Sequence, residues 1–176
     1  MRSHGTILAL TVALLALVLG VGLGGLRAAP ATPVAASPAA SPAVVREVLG
    51  TGLPPAAPGQ ALQLVRFTIA PGTTLPVHTH PGMQVAWLAS GTLRYTVVRG
   101  QVRITRAAVA GTPGAVETLR SGQTTTFHAG DSWVEPPGMV HFARNDGPAP
   151  VVIWVASLLA TNQPPSIPVT IATPAA

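Results

Sequence analysis

The sequence predicts an all-β sandwich or barrel for most of its 176 residues. Three observations carry that expectation. Apolar and polar residues alternate with a period of two in one short segment after another. Glycine-containing turn pairs recur between those segments. No window shows the apolar period of an amphipathic helix. The length suits one domain with appendages better than two domains with separate cores.

The first element is not part of that pattern. "MRSHGTILALTVALLALVLGVGLGGLRAAP" carries Arg2 and then no charged residue until Arg27. Its apolar run exceeds the 7–15 residues of a usual signal-peptide core and approaches the ~20 that span a bilayer. Residues 1–27 therefore read as an apolar helix serving either as a signal peptide, with cleavage candidates at Ala29-Pro30-Ala31 and Val34-Ala35-Ala36, or as an uncleaved membrane anchor. Both place the rest of the chain outside the cytoplasmic membrane, in the periplasm, outside the cell or tethered facing outward. Residues 28–43, rich in Ala, Pro, Ser and Thr without periodicity, read as an extended linker.

From residue 44 the alternation begins. Val65, Phe67 and Ile69 fall on one face of "LVRFTI" and Leu64, Arg66 and Thr68 on the other. "TLRYTVV" sets Leu93, Tyr95 and Val97 against Arg94 and Thr96, and "QVRITR" repeats the pattern with Val102 and Ile104. "TTTFHAGDSWVEPPG" and "HFARN" are also short and strand-like. "VVIWVASLLA" is an unbroken apolar run whose length and β-branched content predict a strand buried on both faces, with a buried helix as the alternative that pattern alone leaves open. Turns are marked at Pro71-Gly72, Pro81-Gly82, Ser90-Gly91, Arg99-Gly100, Ser121-Gly122, Ala129-Gly130 and Pro137-Gly138. Residues 107–118 read as a long loop between strands. The barrel is expected over 44–163, with a Pro-rich tail over 164–176.

Composition excludes several chemistries. The chain has no cysteine, which removes disulfides, thiol catalysis and thiolate metal sites. All ten basic residues are arginine, and only 9% of residues are charged, against about 25% in ordinary domains. Arg94, Arg99, Arg103 and Arg106 are scattered through strand-like sequence and read as a solvated face, with an anionic lipid or glycan partner as the alternative. No recognition helix or aromatic-basic module accompanies them, so nucleic acid is not expected.

Two of the five histidines, His78 and His80, sit two apart after a Pro-Gly turn. On a strand, residues i and i+2 share a face, and Gln84 keeps that parity if no bulge intervenes. Inside an apolar barrel such groups cost roughly 1–3 kcal/mol each when unpaired, and a metal ion removes that cost by taking the imidazole lone pairs. On these residues alone the alternative is a surface His-x-His with no role. The second pattern is "GDSWVEPPGMVHFARN": Gly130, five residues, Pro136-x-Gly138, two residues, His141, three residues, Asn145. The first, at full length, is Gly72, five residues, His78-x-His80, three residues, Gln84, six residues, Gly91. Together they resemble the two motifs of the cupin superfamily over roughly residues 60–160. The one departure is Gln84, where that family usually has glutamate.

The resemblance is to a small, single-domain, quercetin-dioxygenase-like cupin. It implies a double-stranded β-helix, or jelly-roll barrel, binding one divalent metal through His78, His80, Gln84 and His141. The Pro-Pro-Gly turn before His141 is suited to aim that side chain back into the cavity. Three imidazoles and an amide oxygen form an N/O site for Fe, Mn, Zn, Ni or Cu. An amide at 84 leaves the ion its full charge, attracting a bound anion or enolate more strongly, and as a labile ligand it could leave a three-histidine face. The functions implied are a metal-dependent dioxygenase of a small oxygenated or enolisable substrate, or a non-catalytic exported cupin that holds a metal or small ligand; the same fold admits a homodimer. No general acid or base is placed by a motif. Glu135 is read either as a carboxylate bracing the ligands or as a solvated one, Asp131 as a turn cap, and His128 as a surface residue opposite a buried Phe127. His4 lies in the leading apolar segment. Trp87, Trp133, Trp154 and Tyr95 are expected in the core or cavity wall, and Met83 and Met139 in the cavity lining or packing.

Overall fold

The computed structural model describes residues 43–171. The expected N-terminal helix, the linker up to residue 42 and the last five residues lie outside them. Twelve strands follow in order: β1 (Val44–Gly52), β2 (Gln60–Ile69), β3 (Thr74–Thr79), β4 (Gly82–Ser90), β5 (Thr92–Arg99), β6 (Gln101–Thr105), β7 (Val116–Arg120), β8 (Thr124–His128), β9 (Ser132–Glu135), β10 (Val140–Arg144), β11 (Val151–Ala160) and β12 (Ile167–Pro168). There is no helix among the described residues, and hence none able to cross a membrane.

The strands form two antiparallel sheets, a seven-stranded one in the order β1-β2-β11-β4-β9-β6-β7 and a five-stranded one in the order β12-β3-β10-β5-β8. This is the all-β, double-sheet architecture that the alternation predicts. Alternate residues turn inward from both sheets, and Ile69, Leu88, Leu93, Val97, Phe127 and Val151 make a core that solvent barely reaches. Apolar contact across this layer is the main force joining the sheets.

Four expectations need correction. β11 is buried on one face only: Val151, Ile153, Val155 and Leu159 point inward, whereas Trp154 and Leu158 are half-buried and Ala156 is exposed on the other side. Trp87 and Met83 of the neighbouring β4 also face outward, 46% and 48% exposed, so neither belongs to the core or the cavity. The outer surface of a single sheet has no second layer to cover it, and period alone does not reveal that. The Pro-rich segment after 163 is no mere tail: β12 adds to the edge of β3, pairing Ile167 with Thr79 and Pro168 with His78. The 107–118 loop is shorter than expected, because β7 begins at Val116 and pairs with β6.

Two turns set up the site. After His80 the chain leaves one sheet and enters the other at Gly82. A Cβ there would lie 2.0 Å from the carbonyl oxygen of Leu158, so only glycine allows β4 to dock on β11 at this point. The Pro-Pro-Gly turn places Gly138 at φ 74°, the left-handed position of a type II turn. The amide of Gly138 donates to the carbonyl of His80 at 3.2 Å, fastening the second motif onto the first.

Candidate metal centre

His78 and His141 are direct cross-strand partners on β3 and β10. The pairing slips on both edges of β10 next to His141. Such a bulge re-aims a side chain, and here Val140 and His141 are both buried although they are adjacent. His80 follows β3 and reaches the same spot. The three ring centroids lie 4.3, 4.8 and 5.3 Å apart, and one ligating atom from each ring can be chosen so that all lie within 4.8 Å of one another. Histidines from two distant segments thus converge inside the sandwich.

Hydrogen bonds fix which nitrogen each ring offers. His78 Nδ1 donates to the carbonyl of Pro76 at 2.6 Å, and His80 Nδ1 to that of Pro165 at 2.6 Å. A proton held at Nδ1 leaves Nε2 with its lone pair free, the arrangement that prepares histidine as a ligand. His141 is stacked on Tyr95, with centroids 5.0 Å apart, and its Nδ1 is buried without a partner. Burial lowers the pKa of His78 and, against the pull of Glu135, brings that of His141 down to about 4. At neutral pH these two imidazoles are uncharged and able to bind a cation.

Gln84 lines the same cavity, but by a different route from the one parity suggests. β4 lies in the sheet opposite β3, so Gln84 approaches across the cavity rather than along one strand from His80. It is buried, and its Nε2 has no hydrogen-bond partner.

The residue that sequence reasoning left undecided is Glu135. It is the cross-strand partner of Gln84, at the end of β9, and it is buried. Its Oε1 accepts from Tyr95 Oη at 2.9 Å and Trp133 Nε1 at 2.8 Å. Its Oε2 lies 3.5 Å from His80 Nε2, and its Oε1 lies 3.5 Å from His141 Nε2. Burial alone pushes this carboxyl upward. The facing His141 and His80, with the bonds from Trp133 and Tyr95, outweigh it and hold Glu135 below the ordinary carboxylate range. Tyr95, pushed far above its usual value by burial and by Glu135, keeps its proton and donates it. The signal was present in the sequence: Glu135 shares parity with Trp133, and the alternation that buries one buries the other.

These polar groups occupy one end of a cavity of about 190 Å³, whose other walls include Phe67, Ile69, Leu93, Ile153 and Val155. Asp131 caps its turn as expected. His128 is exposed and Phe127 buried, also as expected. Met139 packs in the core, and Trp133 and Tyr95 line the cavity. Asn145 is structural: its side chain donates to the carbonyls of Ile69 and Ala149 and accepts from the amide of Gly147.

A family model described as Cupin matches residues 55–173. Germin-like protein subfamily 3 member 3 of Arabidopsis thaliana is 32% identical over 98 residues, 56% of this chain and 38% of that one. An auxin-binding protein of Prunus persica is 30% identical over 100 residues, 57% of this chain and 40% of that one. The chain spans less than half the length of these curated relatives. Among solved structures, KdgF from Halomonas sp. aligns with a TM-score of 0.45 at 17% identity, covering 66% of this chain and 80% of that one.

Proposed function

The chain belongs to the cupin family, and from that premise we propose that it is an exported, metal-dependent dioxygenase of a small oxygenated substrate. His78, His80 and His141 hold one divalent transition metal at the polar end of the cavity. The observation that carries this reading is the convergence of the three imidazoles, with carbonyl acceptors at Pro76 and Pro165 committing two of them to ligation through Nε2. A bound ion supplies Lewis acidity and, as iron or copper, a centre able to use O₂.

The chain's own residues then select the substrate. A cavity of about 150 Å³ holds benzene, so one of about 190 Å³ suits a molecule only slightly larger. Short 1,3-diketones and small thiols fit within it. The walls are apolar and include no arginine, which disfavours a dicarboxylate and favours a head of one or two oxygens on a hydrocarbon body. Apolar walls also exclude water from the reacting end. Export rests on the apolar N-terminal stretch of the sequence.

The test is metal analysis of the purified full-length chain, followed by O₂ uptake with short diketones, thiols and flavonols. Bound iron or copper with uptake on the small substrates supports the proposal. Stoichiometric metal without turnover on any of them makes the protein a metal- or ligand-binding module instead.

A homodimer is proposed from the outer face of the seven-stranded sheet. Leu62, Leu64, Met83, Val85 and Trp87 are exposed there around a half-buried Trp154, on three adjacent strands. The charge nearest this patch, Arg66 beside Trp154, is already paired with Glu47, so the apolar surface suits a second copy across a two-fold axis. Sedimentation of Trp87→Arg should show a monomer with unchanged metal content, and an unaltered mass would overturn the assignment.

A further inference from the structure

We infer that Glu135 supplies the anionic donor of the metal site, in the place that a carboxylate at position 84 would otherwise fill. This rests on the reading of the histidine trio as a metal centre. Gln84 and Glu135 are direct partners across β4 and β9. A carboxylate moved between these positions shifts by one strand, roughly 4.8 Å, and stays on the same inner face.

The distances distinguish a ligand from a hydrogen-bonding neighbour. Oε2 to His80 Nε2 and Oε1 to His141 Nε2 are both 3.5 Å. That exceeds the length of an N–H···O bond, about 2.7–3.2 Å. The separation of Oε2 from His80 Nε2 is close to the edge of a tetrahedron of donors each about 2.1 Å from a common ion, which is roughly 3.4 Å. The contact to His141, by contrast, is made by Oε1, the oxygen that Tyr95 and Trp133 already hold. The hydrogen bonds from Tyr95 and Trp133 both end on Oε1, so they fix the carboxylate and leave Oε2 turned toward His80.

Charge leads to the same assignment. A buried carboxylate is ordinarily paired with a cation or bound to a metal. Among the described residues, the ionic contacts of Glu135 run only to His80 and His141, and no arginine reaches it. A divalent ion supplies the missing countercharge and leaves the site one positive charge in excess. Such a site takes a monoanion, an enolate for example, in preference to a dianion. Gln84, relieved of ligation, keeps an unpartnered Nε2 as a hydrogen-bond donor lining the same cavity.

Mn(II) is the probe, added to the metal-stripped full-length chain. Glu135→Gln preserves an oxygen that can accept from Tyr95 and Trp133, so the metal-free melting temperature should hold. Mn(II) affinity should fall by at least about 30-fold, on the scale of ligand-supporting losses or beyond it. The exchange Gln84→Glu/Glu135→Gln should recover most of that loss. A readout that needs no variant is ¹³C hyperfine coupling to Mn(II) in wild-type protein labelled at its glutamate carboxyls; Glu135 is the one glutamate of three that lines the cavity. Absence of coupling overturns the inference, as does a Glu135→Gln affinity within threefold of wild type. Where either of these failures occurs while wild-type protein still binds Mn(II) and His141→Ala abolishes binding, the role of Glu135 alone is overturned. Folded wild-type protein that binds no Mn(II) overturns the histidine reading as well.

Discussion

Asp131 and Glu135 lie four residues apart on one short segment, and both are buried, yet their surroundings differ. Asp131 is fully matched. Its Oδ2 accepts from Arg106 Nη1 at 2.8 Å and from the amide of His128 at 3.0 Å, and its Oδ1 accepts from the amide of Ala107 at 2.8 Å. Arg106 also reaches Glu117, Thr125 and the carbonyl of Thr126, so this end of the sandwich is closed by a charged latch. Glu135 receives only the neutral donors Tyr95 and Trp133, with no arginine among its contacts, and faces His80 and a His141 whose pKa burial brings down to about 4. A carboxylate with its countercharge built in holds a fold together. One without it is suited to a ligand.

The largest effect expected from this contrast is on stability in the absence of metal. Asp131→Ala leaves two amides and one arm of a partly buried guanidinium unpaired and should cost roughly 3 kcal/mol. Glu135→Gln keeps an oxygen that accepts from Tyr95 and Trp133 and gives up a charge that only neutral donors and imidazoles face, so it should cost no more than about 1 kcal/mol. Urea unfolding in the presence of a chelator measures both, and equal losses would erase the distinction.

Metal retention should show the reverse order. His141→Ala removes a donor from the trio and should weaken divalent-metal binding by at least about 100-fold. Asp131→Ala, provided it is assayed well below its unfolding midpoint, should leave affinity within about threefold. Isothermal titration separates the two. A common loss would mean that the latch also shapes the metal centre.

How much of this the sequence shows depends on the kind of evidence each residue leaves. His78, His80 and His141 are legible because their spacing and flanking turns are local features. The sheet change at Gly82 is not, because it depends on a carbonyl of Leu158, 76 positions away in the chain. The outward setting of Trp87 and Met83 is hidden for a similar reason: alternation tells which residues share a face but not whether that face is covered. Pro165, whose carbonyl orients His80, sits in a segment without strand periodicity. In sequence Arg106 is one arginine among several on a strand-like stretch, and only folding brings it to Asp131.

Acid should act on the latch. Burial raises the Asp131 carboxyl, but the amides of His128 and Ala107, followed by Arg106, outweigh that and bring it below its ordinary value. A lowered carboxylate stabilises the folded state at pH above its unfolded pKa, about 3.9, and that contribution is lost as pH falls through the lower folded value. The urea midpoint of metal-free protein should therefore drop below about pH 4, and Asp131→Asn should flatten that drop. A slope unchanged by Asp131→Asn would assign acid sensitivity to another group.

The smallest effect belongs to His128, which adjoins both sites in sequence and takes part in neither through its side chain. It is exposed at the end of β8, paired with Thr92 across the sheet edge, while Phe127 beside it fills the core. Its contribution to the latch is the main-chain amide donated to Asp131, and alanine keeps that amide. His128→Ala should therefore shift neither metal affinity, by more than about twofold, nor stability, by more than about 0.5 kcal/mol. A larger loss of affinity would bring a fourth imidazole into the metal centre and break the face assignment of β8. A larger loss of stability would show that the latch draws on the ring as well as the backbone.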